Sequence, residues 1–93
     1  MVRIANKMCG CGVRVAVVTE HRNHALEERR RLGENPDLRI IGVFEGTVGQ
    51  PYTYILMDVP RILFGLKKYR DWFQTSILTR LRTEGRVFWR DQL

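Results

Sequence analysis

Apolar and polar positions along the chain keep two different rhythms. The β-branched run "VRVAVVTE" (13–20) follows a glycine and reads as a buried strand. From His21 the rhythm changes. Leu26 and Leu32, helped by Ala25, make a thin apolar stripe among charges, and Glu27 stands four residues before Arg31. Gly33 followed by Asn35 and Pro36 is a stop signal, so the pattern predicts a helix over 22–32, with Thr19 or Asn23 as its cap.

Two further strand patterns come next, "LRIIGVFE" (38–45) and "PYTYILMDV" (51–59). The "GTVGQ" between them has two glycines, the chemistry of a hairpin loop. The segment 60–83 then carries Ile62, Leu66, Tyr69, Phe73, Ile77 and Leu81 at spacings of three and four, which predicts a long amphipathic helix. Pro60 suits its first turn and Asp58 is a candidate cap. Thr75 and Ser76 mark a candidate kink, Gly85 ends the helix, and "RVFWR" (86–90) is a last short strand.

The order β-α-β-β-α-β predicts an α+β fold of the ferredoxin-like split βαβ type: an antiparallel sheet with two helices on one face. The alternative is a small α/β unit in which the first two strands are parallel neighbours. Ninety-three residues make one domain, 1–93, with a modest core. Two Trp, three Tyr and four Phe are much apolar area for that core, so a homodimer through sheet edges or a bare sheet face is expected.

Charge changes the picture most. Sixteen basic residues, thirteen of them Arg, face ten acidic ones, a net of +6. Arginine grips phosphate or carboxylate through a planar fork. A small basic domain attracts nucleic acid, an anionic membrane or an acidic protein partner. Arg61, Lys67, Lys68, Arg70, Arg80 and Arg82 lie along the long helical pattern and are the candidate phosphate contacts. Tyr52 and Tyr54, two apart on a strand, point to one face, and aromatics on a bare sheet face are a means of stacking bases. In "EERRR" (27–31) the charges read as a solvated helix face.

"MCGCG" (8–12) holds both cysteines, and both histidines follow at 21 and 24. Cys9, Cys11, His21 and His24 are the right types for zinc. The strand between the two pairs, about 30 Å when extended, separates them. A redox pair usually has two residues between its cysteines, at a helix start. The reading preferred is a turn shaped by Gly10 and Gly12, with no metal and no cofactor. No serine other than Ser76 is present, and no glycine-rich phosphate loop precedes a helix. Glu45 and Asp58 could approach across the hairpin, but nothing beside them supplies a base or nucleophile. The expectation is therefore a binding protein and not an enzyme. It is expected in the cytoplasm, because "MVRIANKM" has no apolar run and no stretch is long enough to span a bilayer.

The leading functional expectation is nucleic-acid binding through the Arg/Lys-rich helical surface. The rival is a protein-binding module or inhibitor, such as a small phage or host regulator docking on a larger complex. A weaker alternative is a metal-dependent sensor using the Cys/His set.

Overall fold

A computed structural model describes residues 1–46 and 51–93. Seven elements carry the fold: α1 (Val2–Met8), β1 (Val15–Thr19), α2 (Arg22–Leu32), β2 (Leu38–Gly42), β3 (Tyr52–Asp58), α3 (Lys67–Trp72) and β4 (Leu81–Trp89). The strands form one sheet in the order β2-β1-β3-β4, and every neighbouring pair is parallel.

This corrects the antiparallel ferredoxin-like expectation. β1 and β2 are parallel neighbours, and β3 lies on the other side of β1, so β2 and β3 do not form a hairpin. Residues 47–50 of the expected hairpin loop lie outside the described residues. The physical reason for the difference is burial on both faces. All five residues of β1 are buried, as are Ile55, Leu56 and Met57 of β3. Strands buried on both faces belong to a parallel sheet with helical layers on each side.

Those layers are in place. Val15, Val17, Leu38, Ile40 and Leu56 pack on α1 and α2 through Val2, Ala5 and Ala25. Ala16, Val18, Ile41, Ile55 and Met57 face the other way, onto Phe64, Trp72 and Ile77 of the 61–80 segment. The α2 helix matches its expected bounds, and Gly33 ends it at φ 95° with its N–H donating to the Arg30 carbonyl. Neither expected side-chain cap forms at its start. His21 is the cap residue, and its N–H donates to the Thr19 hydroxyl at 3.0 Å.

The expected long helix over 60–83 is broken. A 3₁₀ turn spans Arg61–Gly65, α3 begins only at Lys67, a wide π-type turn covers Phe73–Ile77, and a second 3₁₀ turn covers Leu78–Arg80. The wide turn includes the expected kink site. Leu66 is extended (φ −79°, ψ 136°), so the apolar stripe changes phase there. Phe64 and Trp72 turn inward, while Ile62 and Leu66, both expected on the buried stripe, are 85% and 56% exposed. Gly85 lies inside β4 and ends no helix. Helix α1 had no signal in the sequence pattern.

The "MCGCG" stretch is a tight turn. Gly10 and Val13 exchange backbone hydrogen bonds, at 3.3 and 2.9 Å. The two central residues, Cys11 (φ 52°) and Gly12 (φ 84°), both have positive φ. That is the geometry of a hairpin turn whose twist suits the strands it joins.

Candidate functional site

Six of the sixteen cations lie in 60–83, with Asp71 as that segment's one acid. The segment leaves the carboxyl end of β3 and covers one sheet face. It returns the chain to the start of β4. It is anchored from beneath by rings. Phe64, Phe73 and Trp89 touch one another at centroid distances of 5.0 to 5.6 Å. Tyr69 links Phe64 to Phe44, and Phe44 meets Trp72. The Trp72 indole N–H donates to the Glu45 carbonyl at 2.8 Å. The two tryptophans therefore serve this core and offer no exposed aromatic patch: Trp72 is buried and Trp89 is half-buried.

On that base five of the six cations, Arg61, Lys67, Lys68, Arg70 and Arg82, are exposed. In α3, Trp72 and Tyr69 take the inner side, and Lys67, Lys68 and Arg70 are exposed. Lys67 pairs with Asp71 at 4.0 Å, one helical turn on, with both side chains largely in water. A pair of this kind contributes only a few tenths of a kcal/mol and yields readily to a phosphate. Lys68 sits 4.9 Å above the Phe44 ring. Arg61 stacks 5.1 Å over Trp89 and reaches Asp91 at 4.0 Å. Arg82 is exposed and Arg80 half-exposed, at the opposite end of the segment from Arg61. Arg70 and Arg82 have no ion pair among the described residues.

The tyrosines do not join this surface. Tyr52 is 1% exposed and packs into the core on the α3 side, with the Arg14 guanidinium 5.2 Å over its ring. Tyr54 packs on the opposite face, beside Phe88 at 5.8 Å. A β-bulge parts them: the N–H groups of Thr53 and Tyr54 both donate to the Arg14 carbonyl, at 2.8 and 3.2 Å. One extra residue turns the second side chain to the other face. With both faces of the sheet carrying helical segments, the open stacking platform expected for these rings does not form.

The cysteines and histidines lie at opposite ends of β1. Among the described residues no three His, Cys, Asp or Glu side chains gather to hold a metal. The Cys9 Sγ lies 3.3 Å from the Ala5 carbonyl oxygen and 3.4 Å from that of Asp37. Burial pushes its thiol pKa up, which keeps it protonated at neutral pH. Glu45 and Asp58 are engaged separately, Glu45 with Arg22 at 3.0 Å and Asp58 with Arg90 at 3.7 Å.

Two features of the surface had no warning in the sequence pattern. One is the exposed Ile62–Leu66 pair beside the cations. The other is a strip of face next to β4, an open groove lined by Met8, Val13, Tyr54, Arg86 and Phe88. Phase changes at Gly65 and at the β3 bulge create them, and neither change alters the residue types on which a pattern is read. No helix among the described residues is long and apolar enough to cross a membrane. Searches against protein-family models, curated proteins and solved structures find no match to this chain.

Proposed function

We propose that the protein is a non-catalytic binding protein that takes nucleic acid on the 61–82 layer and works as a homodimer. The observation that carries the reading is the charge of residues 60–83, six cations against one acid, with Arg61, Lys67, Lys68, Arg70 and Arg82 exposed. Phosphates release counterions when cations meet them, so such a surface gains affinity from the phosphate backbone with little regard to sequence. No base-reading element accompanies the cations, since Tyr52 is buried and Tyr54 lies on the other face. Low sequence preference follows.

The second reading, a protein-binding module, rests on Ile62 and Leu66, exposed on the same layer. Ile62 and Leu66, with Leu78 on the same segment and Phe44 beside it also exposed, are a small anchor beside the area of a standard protein interface, so the charge decides in favour of nucleic acid.

The test is fluorescence anisotropy with single- and double-stranded oligonucleotides of mixed sequence. The expected dissociation constant is on the order of micromolar at about 50 mM salt, weakening steeply as salt rises. Lys67→Glu combined with Arg70→Glu weakens binding without changing the melting curve, because both side chains are exposed. Absence of binding at low salt refutes the reading and leaves the protein-partner alternative. Binding untouched by the double reversal refutes the placement on this layer.

A further inference from the structure

The two edges of the sheet are finished differently. At the β2 edge Leu38, Ile40 and Ile41 are 1%, 7% and 4% exposed, and the Arg22–Glu45 ion pair lies beside Gly42. At the β4 edge every residue from Leu81 to Trp89 is at least partly exposed. An open edge is a row of unpaired amides that accepts another strand. We propose that two copies of the chain pair β4 against β4, antiparallel about a two-fold axis at Val87, and so join their two basic layers into one surface.

The register follows from symmetry and charge. A two-fold axis normal to the sheet maps each sheet face onto itself. Residues across the axis must then share a face, and the axis must pass through a residue and not between two. Only Arg86–Trp89 runs regularly beside β3. Leu81 and Arg86 lie opposite Tyr52 and Tyr54, so the residues between them bulge out. An axis at Arg86 sets the two Arg86 side chains against each other. One at Phe88 sets Arg86 against the partner's Arg90. Both place like charges directly opposite, which destabilises a strand pair. An axis at Val87 sets Arg86 across from the partner's Phe88, where guanidinium and ring attract.

The backbone agrees with this choice. The Trp89 N–H donates to the Gln92 side chain at 2.9 Å. Strand alternation turns the Val87 N–H and carbonyl, two residues earlier, to the same outward side. Two Val87 residues on the axis then exchange a pair of hydrogen bonds. The groove of Met8, Val13, Tyr54 and Phe88 lies against this seam and gives the pair an apolar face beside its strand bonds.

The consequence for function rests on the nucleic-acid reading. Because the axis preserves each face, both 61–82 layers come to lie on the same side of a continuous eight-stranded sheet. The antiparallel pairing brings the Arg61 end of one layer toward the Arg82 end of the other.

Sedimentation velocity on the full chain without nucleic acid tests the pairing, with anisotropy on the same samples as a separate arm. The wild type is expected to be a dimer at high micromolar concentration. Val87→Pro removes an outward N–H and leaves β3 pairing intact, and it is expected to raise the dimer dissociation constant roughly tenfold or more. Arg86→Glu, an exposed change, is expected to weaken the dimer, because it removes the cation set against the partner's Phe88 ring. In the anisotropy arm, monomeric variants bind more weakly and with a shallower salt dependence than wild type. A wild type that stays monomeric, or a dimer indifferent to both Val87→Pro and Arg86→Glu, overturns the proposal whatever the anisotropy shows. A dimer that behaves as expected but binds no oligonucleotide refutes only the nucleic-acid reading.

Discussion

The α1/α2 layer and the 61–82 segment each carry six cations and engage them differently. Helices α1 and α2 hold Arg3, Lys7, Arg22, Arg29, Arg30 and Arg31. Four of these are occupied within the fold. Arg30 and Arg31 reach Glu27, Arg22 reaches Glu45, and Arg29 donates to the Asn35 carbonyl at 3.2 Å. On the other layer Asp71 is the only acid of the 60–83 segment. A regular helix brings acids and bases three and four residues apart into contact, so α2 neutralises itself. A layer built from turns and one short helix offers that spacing once, between Lys67 and Asp71, and leaves Arg70 and Arg82 with no ion pair among the described residues. Net charge is thus a poor guide to a binding surface until the partners of each cation are known.

The contrast has a stability side, and the largest effect is expected there. The 61–80 layer rests on its rings. Phe64→Ala removes the centre of the Phe64–Phe73–Trp89 cluster and should cost about 3–5 kcal/mol in denaturant unfolding. On the α1/α2 side, Leu32 is 38% exposed, and Leu32→Ala should cost under about 1 kcal/mol. Equal costs would show that the two layers do not differ in this way.

Next comes the seam between bulge and strand. A Cβ at Gly85 would stand 2.8 Å from the Thr53 carbonyl oxygen and 2.7 Å from Leu81 Cδ1. Gly85→Ala should therefore cost about 1–3 kcal/mol, as overpacking does. An unchanged melting curve would mean that this close fit is absent.

The Gly85 fit shows what the sequence pattern carried and what it did not. Helix α2 was legible at both ends because its apolar spacing, its Glu–Arg pairs and Gly33 all agree. The strands were legible as strands. Their direction was not, because two glycines between two strand patterns read as a hairpin. The contrary signal lay in the runs themselves: Val15–Val18 and Ile55–Met57 are apolar on successive positions, as a sheet covered on both faces requires. The tyrosine pair failed for a different reason. A bulge depends on backbone hydrogen bonds to Arg14, and nothing in "PYTYILM" marks it. Among the site residues, Arg61, Lys67, Lys68, Arg70 and Arg80 lie in the broken helical segment and Arg82 lies in β4, so the single long helix on which the pattern put all six does not form. The turn at Gly65 that exposes Ile62 and Leu66 became visible only with the backbone.

Smaller effects sharpen the comparison further. Cys11 holds a left-handed backbone that favours glycine, so Cys11→Gly should stabilise the fold by up to about 1 kcal/mol. A loss of stability would mean that the thiol contributes packing to the turn. Smallest is the acid response of α2. The hydrogen bond from Arg30, with the Arg30 and Arg31 charges, holds the Glu27 carboxyl below its ordinary value. A lowered folded-state value contributes stability that is fully present above the unfolded value and is lost as pH falls through the folded one. Wild type should therefore lose a small increment of helicity in that acid range, and Glu27→Gln should lack it.

The two layers differ most plainly at Lys67 and Arg70, both exposed, against Arg30 and Arg31, both held by Glu27. The most direct measurement is the salt dependence of oligonucleotide binding for two matched double reversals, Lys67→Glu/Arg70→Glu and Arg30→Glu/Arg31→Glu. The account predicts that the first lowers the magnitude of the log–log salt slope by about 2 per protomer, since each cation lost from phosphate removes about one unit. It predicts that the second leaves the slope nearly unchanged. Equal slopes for the two variants, or the larger change in the second, would contradict it.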